Sequence, residues 1–350
     1  MVTKAAISKF EEMFGKRYGE GSLLTPDPTL GYEVISTGSL ALDEITGVGG
    51  IVEGRLTEIW GPDGVGKSTL ALMIVAEAQK KHPDKLVAWI DMEHAFDAKW
   101  AAVHGVDVAR VKHYLPLSAE DVADAMKDMV LSGLFSLVVL DSIGAMIGQK
   151  EKEKAADEAT MAIKAKIVTR MVNIAAPEAD RTKTTVLLIN QVRANLGYGA
   201  DTTTGGGFAL KHVTTMKFNL KRTGTPPFKV KSGGEEIEVG NEIAIKVERN
   251  RVAPKGRRCN VVFFNQDSTY GEIGIDLADE AFTVGLAKGI IEHSGNSYTL
   301  PTGEKFVGRP KTIEALREDP SAVALIREKV LANMGDVFED EAVILEEESA

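Results

Sequence analysis

The stretch from Arg55 to Leu70, Arg-Leu-Thr-Glu-Ile-Trp-Gly-Pro-Asp-Gly-Val-Gly-Lys-Ser-Thr-Leu, limits what this chain can become more than any other. Between Gly61 and Ser68 it satisfies G-x-x-x-x-G-K-[ST], the phosphate-binding P-loop signature. That signature has meaning only between a strand and a helix, and both are readable. Leu56 to Trp60 is a β-like run, and from Ser68 a helical spacing puts Leu70, Ile74 and Ala78 on one face. Gly61, Gly64 and Gly66 let the backbone curl until its N–H groups face β- and γ-phosphate oxygens, where the helix N-terminus adds positive potential. Lys67 adds a point charge and Ser68 a hydroxyl ligand for Mg²⁺. The expected nucleotide cradle is Gly61, Pro62, Asp63, Gly64, Val65, Gly66, Lys67, Ser68 and Thr69.

Around this loop the chain alternates. Leu86 to Asp91, Leu137 to Asp141 and Thr185 to Asn190 read as strands; Ala98 to His104, Ala119 to Ser132 and Ala159 to Ala176 read as helices. Strands alternating with helices predict an α/β fold with a mainly parallel sheet covered on both faces, a P-loop NTPase core. Further β-rich runs follow (Thr214 to Lys221, Asn241 to Arg249, Asn260 to Asn265), joined by the Gly/Pro/Lys stretch Thr223 to Gly234. From Thr269, short helices around a Ser297 to Val307 hairpin predict a small α+β C-terminal domain. Residues 1–20 read as an amphipathic helix carrying Ile7, Phe10, Met13 and Phe14, with Gly15 near its end and a Gly/Pro-rich linker behind it. The expected divisions are 1–33, a helix and linker for oligomerisation; 34–268, the core; 269–335, the small domain; and 336–350, an acidic tail.

At 350 residues with 44% hydrophobic and 26% charged residues, the composition is that of an ordinary soluble protein. No apolar run is long enough for a membrane span and the N-terminus lacks a signal-type apolar segment, so a cytoplasmic protein without a membrane partner is expected. A single cysteine, Cys259, excludes an internal disulfide and a cysteine-built zinc site. The net charge of −10 is unevenly spread. Asp336 to Ala350 holds seven acids and no base, while Lys211 to Arg258 holds twelve Lys/Arg against five Glu. A basic middle with an acidic tail suits a phosphate-backbone partner tempered by the chain's own tail, and equally a solvated mixed surface.

Near the P-loop, Val138 to Asp141 is an apolar strand ending in a carboxylate, which would orient Mg²⁺ together with Ser68. Glu93, two residues beyond a strand end, stands where a carboxylate could polarise water attacking a γ-phosphate, or is a surface charge. Gln191, at the next strand end, offers an amide to the same phosphate. The loop Arg193 to Gly207, rich in Gly and Thr, could lie along a phosphate chain through Arg193 or stack a base on Tyr198, or is an ordinary loop.

Ile35-Ser-Thr-Gly-Ser-Leu-Ala-Leu-Asp43, the P-loop, Ile90-Asp-Met-Glu-His-Ala-Phe-Asp97, Val139-Leu-Asp-Ser142, Ile189-Asn-Gln-Val-Arg193 and Thr202-Thr-Thr-Gly-Gly206 occur in the order and spacing of the RecA family, and nearly the whole chain resembles it. The resemblance implies a RecA-like, DNA-dependent ATPase that uses ATP and Mg²⁺. Such a protein polymerises as a helical homo-oligomeric filament on single-stranded DNA, pairs it with homologous double-stranded DNA and promotes strand exchange. A repressor, a loader or a single-strand-binding protein is a further partner it leaves open. By motif position it makes Glu93 the catalytic glutamate and Gln191 the γ-phosphate sensor, and it puts Asp97 and Trp100 at the adenine. It gives DNA contact to two loops, Lys150 to Thr160 and Ala194 to Gly207, and their flanks. The residues concerned are Lys150, Lys152, Lys154, Met161, Lys166, Arg193, Asn195, Tyr198, Thr202, Thr203, Thr204, Gly205 and Gly206.

It also makes Arg249 and Arg251 the basic pair that reaches a neighbouring subunit's γ-phosphate, where bacterial members mostly have lysines. On an extended strand Glu248 is expected to face away from both. Lys150 to Asp157 departs from the family in lacking glycines and reads as helical. Two other classes fit a P-loop: a small-molecule phosphotransferase, for which neither acceptor pocket nor basic lid is readable, and a hexameric motor on the same core.

Overall fold

The computed structural model describes residues 3–19, 23, 31–146, 158–193, 203–204, 207–232 and 234–334. It contains two compact units, Met1–Glu33 and Val34–Ala350.

The first unit is α1 (Lys4–Tyr18). Thr3 caps it by accepting the Ala6 amide, and it ends at Tyr18 with Gly19 as its C-cap, whose amide donates to Gly15 O, within the 1–20 expected. Phe10, Phe14 and Tyr18 are spaced one turn apart, with ring centroids 5.6 Å and 4.5 Å apart in sequence. None of the helix's residues is buried.

The second unit begins with β1 (Val34–Ile35), α2 (Leu40–Thr46), β2 (Ile51–Val52), β3 (Leu56–Gly61) and α3 (Lys67–Lys81). It continues with β4 (Leu86–Asp91), α4 (Ala98–Val103), β5 (Val111–Tyr114), α5 (Ala119–Ser132) and β6 (Phe135–Asp141). Then come α6 (Glu158–Thr182), β7 (Thr185–Arg193), β8 (Thr203–Thr204), α7 (Gly207–Val213) and β9 (Met216–Arg222). Strands β10 (Phe228–Ser232), β11 (Glu235–Asn250), β12 (Arg258–Phe264) and β13 (Gly274–Ile275) complete the large sheet. The C-terminal part is α8 (Leu277–Ala287), β14 (Glu292–Ser294), β15 (Ser297–Thr299), β16 (Lys305–Val307), α9 (Arg309–Glu318) and α10 (Pro320–Ala332).

The sheet runs β13-β12-β11-β9-β3-β7-β6-β4-β5. From β9 to β5 every pairing is parallel, and β9-β11-β12-β13 is antiparallel. The two halves are covered differently. In the parallel half, side chains from both faces enter a core: Leu137 and Val139 pack with α3 residues such as Leu70 and Ile74, Val138 and Leu140 with Val122, Met126, Val168 and Val172 of α5 and α6. In the antiparallel half, Phe218, Leu220, Ile243, Ile245 and Val247 join the α3 core, while Lys217, Asn219, Ala244 and Lys246 alternate onto the other face. That is why the parallel strands read as continuous apolar runs and the later ones as alternating. A third core, built from Phe282, Ile291, Ile313, Ile326 and neighbours, belongs to the C-terminal helices and takes Leu40 from α2.

Three boundaries differ from expectation. Helix α6 continues through Pro177 to Thr182, because its apolar stripe does not stop there; Ala179 is still fully buried in the same core as Val172 and Ala175. The stretch expected to be a plain connection, Thr223 to Gly234, contains β10, which pairs with the first half of β11 as a hairpin. Gln191 lies inside β7 rather than after its end.

Strand β11 also carries a bulge. Val247 pairs with Phe218 and Arg249 with Lys217, so Glu248 has no partner of its own on β9. Glu248 and Arg249 therefore both lie on the polar face, contrary to strict alternation. The Glu248 carboxylate accepts from Trp60 Nε1 at 2.8 Å and from Asn219 Nδ2 at 2.8 Å.

Candidate functional site

The carboxyl ends of β3, β7, β6 and β4 form one rim of the parallel sheet, the place where open α/β sheets bind ligands. Register keeps the rim level: Gly61 pairs with Gln191, and Asp91 with Asp141. A cleft of about 500 Å³ opens there, lined by Asp63 to Thr69, Glu93, Trp100, Asp141 and Gln191 on the sequence-predicted side.

The P-loop joins β3 to α3. Gly64 and Gly66 have φ of 66° and 91°, values that other residues adopt only with strain. Gly66 is the N-cap of α3 and offers no side chain to its first amides, which stay available to an anion. Lys67 is 7% exposed and folds back so that Nζ donates to Gly61 O at 3.0 Å and Pro62 O at 2.7 Å, with Asp63 at 3.7 Å. Burial lowers its pKa, against the pull of Asp63, Glu93 and Asp141.

Ser68 Oγ donates to Asp141 Oδ2 at 2.9 Å. Asp141 is pushed up to about 6, mainly by burial and further by the charges of Glu93 and Asp91, which outweigh Ser68 and Lys67. Glu93 Oε1 accepts from the Ser142 hydroxyl and from Gln191 Nε2, the latter at 2.8 Å. Gly144 makes room for that amide: a Cβ there would sit 2.9 Å from Gln191 Oε1.

Asp97 and Trp100 separate. Trp100 lines the cleft, while Asp97 is exposed and caps α4 by accepting the Lys99 and Trp100 amides, hydrogen bonds that lower its pKa. Arg249 and Arg251 lie outside the cleft at the end of β11; Arg251 donates to His212 O, and among the described residues neither arginine forms an ion pair. Burial, then the charge of Arg251, lowers the pKa of Arg249.

Of the expected DNA-contacting residues, Lys150, Lys152, Lys154, Asn195, Tyr198, Thr202, Gly205 and Gly206 lie outside the described residues, as does the helical reading of Lys150 to Asp157. Lys166 is exposed on α6, and Met161 falls within the same helix. Thr203 pairs with Arg193, and Thr204 with Val192, where β8 folds back on β7.

Sequence reasoning missed the opposite wall of the cleft. Arg222, Glu238, Asn241, Phe263 and Phe264 come from β9, β11 and β12, with Asn265 just beyond β12, and Arg222 reaches over to Gly64 O at 3.3 Å. Nothing local marks them, since they meet the P-loop only through the β9–β3 pairing. Among the described residues no helix is long and apolar enough to cross a membrane, and no cluster of three or more His, Cys, Asp or Glu could hold a metal by itself.

Residues 2–269 match the family of the RecA N-terminal domain. Protein RecA of Chlorobium chlorochromatii is 35% identical over 321 residues, 90% of this chain and 86% of that protein. Protein RecA of Rubrobacter xylanophilus is 35% identical over 334 residues, covering 94% and 92%, and that of Thermus aquaticus 34% over 329, covering 93% and 92%. A solved RadB recombinase aligns with a TM-score of 0.49 at 22% identity, covering 65% of this chain and 95% of that one.

Proposed function

Since the chain belongs to the RecA family, we propose that it is an ATP-dependent homologous-recombination protein that polymerises on single-stranded DNA, pairs it with homologous duplex and promotes strand exchange with DNA-stimulated ATP hydrolysis. The observation that carries the reading is the convergence of Lys67, Ser68, Asp141, Glu93 and Gln191 on one cleft. The α3 amides and Lys67 bind the phosphates. Ser68 and Asp141 would hold Mg²⁺, since a hydroxyl and a carboxylate in an acid-rich pocket suit a hard cation that takes its other ligands from water and phosphate. Bound there, the ion supplies charge neutralisation for the phosphates.

Glu93 takes the proton of the attacking water through its second oxygen, Oε1 being occupied by Ser142 and Gln191. Gln191 reads the γ-phosphate and passes its loss along β7 to the segment 194–207. Trp100 stacks on the base and Asp97 helps hold it. Arg249 and Arg251 reach the nucleotide of the next subunit, α1 and its linker serve assembly, and residues 336–350 temper DNA binding electrostatically. A hexameric motor is the second reading, favoured by the same core and the same arginine pair. ATPase rates with and without single-stranded DNA, combined with electron microscopy, separate the two: stimulation with extended filaments supports the recombinase, stimulation with closed rings the motor.

A further inference from the structure

The loop Met92–Asp97 carries Glu93 into the cleft and leads into the helix that carries Trp100, and its shape is dictated from behind by one buried carboxylate. Asp91, the last residue of β4, is 1% exposed. Its Oδ1 accepts the amides of Glu93 at 3.1 Å and Ala95 at 3.2 Å; its Oδ2 accepts the amide of Phe96 at 3.0 Å and lies 3.1 Å from His113 Nε2. Both oxygens of an acceptor-only group are thus filled, three of the four partners being backbone of a single turn. The turn needs that support, because His94 within it has φ of 54°, a left-handed conformation costly for a non-glycine residue.

His113 closes the arrangement from β5, the edge strand. It holds Asp91 and packs its ring on Phe96, centroids 4.9 Å apart, while Phe96 also meets Trp89 at 5.3 Å. The loop is therefore clamped through its backbone by Asp91 and through Phe96 by two rings. Neither Asp91 nor His113 lines the cleft.

We propose that Asp91 and His113 are positioning residues for ATP hydrolysis, which hold the Met92–Asp97 turn so that Glu93 stays on Ser142 and Gln191. The proposal rests on the reading of Glu93 as the group that polarises water. Without the His113 hydrogen bond, Asp91 keeps the amides but loses the contact that fixes its own rotamer, and the Glu93 carboxylate drifts from its place. Small misplacements of a reacting group cost rate more than binding.

The test compares His113→Phe, which keeps the ring packing and removes the donor, with His113→Gln, whose Nε2 can donate from nearly the same place. Each is made in the wild-type and Glu93→Gln full-length chains and assayed with saturating single-stranded DNA, with melting temperatures recorded. His113→Phe should lower kcat about tenfold while KM for ATP changes less than about threefold, and His113→Gln should recover most of the rate. On top of Glu93→Gln, His113→Phe should cause no further loss. A His113→Phe protein with wild-type kcat, or one whose full loss persists beside Glu93→Gln, overturns the positioning role alone. Wild-type hydrolysis by Glu93→Gln itself overturns the Glu93 assignment and the proposal with it.

Discussion

Gln191 Nε2 donates to Glu93 Oε1 across 2.8 Å, tying β7 to the loop that follows β4, two strands separated in the sheet by β6. The group proposed to sense the γ-phosphate and the group proposed to polarise water are thus held on one oxygen. Any shift of Gln191 toward a ligand changes what Glu93 accepts.

Replacing Glu93 by Gln keeps an oxygen for Ser142 and Gln191 but removes the base. Hydrolysis should fall by about 10²–10⁴-fold while ATP affinity stays near wild type. Single-turnover assays alongside nucleotide titration measure both, and loss of nucleotide binding would make Glu93 structural instead.

Lys67→Ala removes the cation whose ammonium sits over the loop's own carbonyls. Positioned cations at transferring phosphoryl groups contribute several kcal/mol, so ATPase should drop by at least about a hundredfold. Wild-type-like turnover in this variant would sink the assignment of the cleft.

Arg249→Ala with Arg251→Ala should abolish ATP-dependent assembly, because two cations without ion pairs among the described residues await an external anion. Mixed with a Lys67→Ala partner that retains both arginines, the double variant should regain part of its DNA-stimulated ATPase. Normal filaments formed by the double variant alone would eliminate action in trans. The bulge matters here: Glu248→Ala releases Trp60 and Asn219, and should weaken assembly in the same direction.

Glu280 is raised to about 7, first by burial, against hydrogen bonds from Ser39 and the Leu40 amide. Its pKa in the unfolded chain is near the ordinary 4.5, so between those values the folded state binds more protons than the unfolded one. This contribution to stability is complete below pH 4.5 and is lost as pH rises through about 7. Melting temperatures across pH 4–8 should lose that component of their slope in Glu280→Gln; an unchanged slope would show the carboxyl to be ionised throughout.

Truncation after Gly335 removes seven acids and should tighten duplex DNA binding, with the gain shrinking as salt screens the repulsion. Equal affinities at low salt would argue against a regulatory tail.

What could be read in advance depended on whether the signal was local. The P-loop, Leu86 to Asp91 and Ala119 to Ser132 announce themselves through spacing, and β4 and α5 have those bounds. Helix α2 has seven residues and β5 four, too short to show a period, so neither was legible although His113 stands on one of them. The Phe263–Phe264 wall and the bulge at Glu248 are products of pairing between distant strands, which no window of sequence contains. Pro177 misleads for the opposite reason: the local rule is sound, but burial of Ala179 overrides it.

Asp43, in the Ile35–Asp43 motif, is fully buried, and its cation is Arg327 of α10, whose Nη2 reaches Asp43 Oδ2 at 2.5 Å and Ser36 Oγ at 2.7 Å. Glu280 of α8 meanwhile receives Ser39 from the same turn. The segment that matches the RecA N-terminal domain ends at residue 269, so the cation paired with its buried Asp43 lies beyond its border, while Ser36 and Thr37 within it also donate to that carboxylate. Homology and physical autonomy therefore part company here. A fragment cut at that border would inherit the family's signature motifs together with a buried carboxylate that has lost its arginine. Exchanging C-terminal regions between relatives would succeed only where the incoming piece brings an arginine to the same spot.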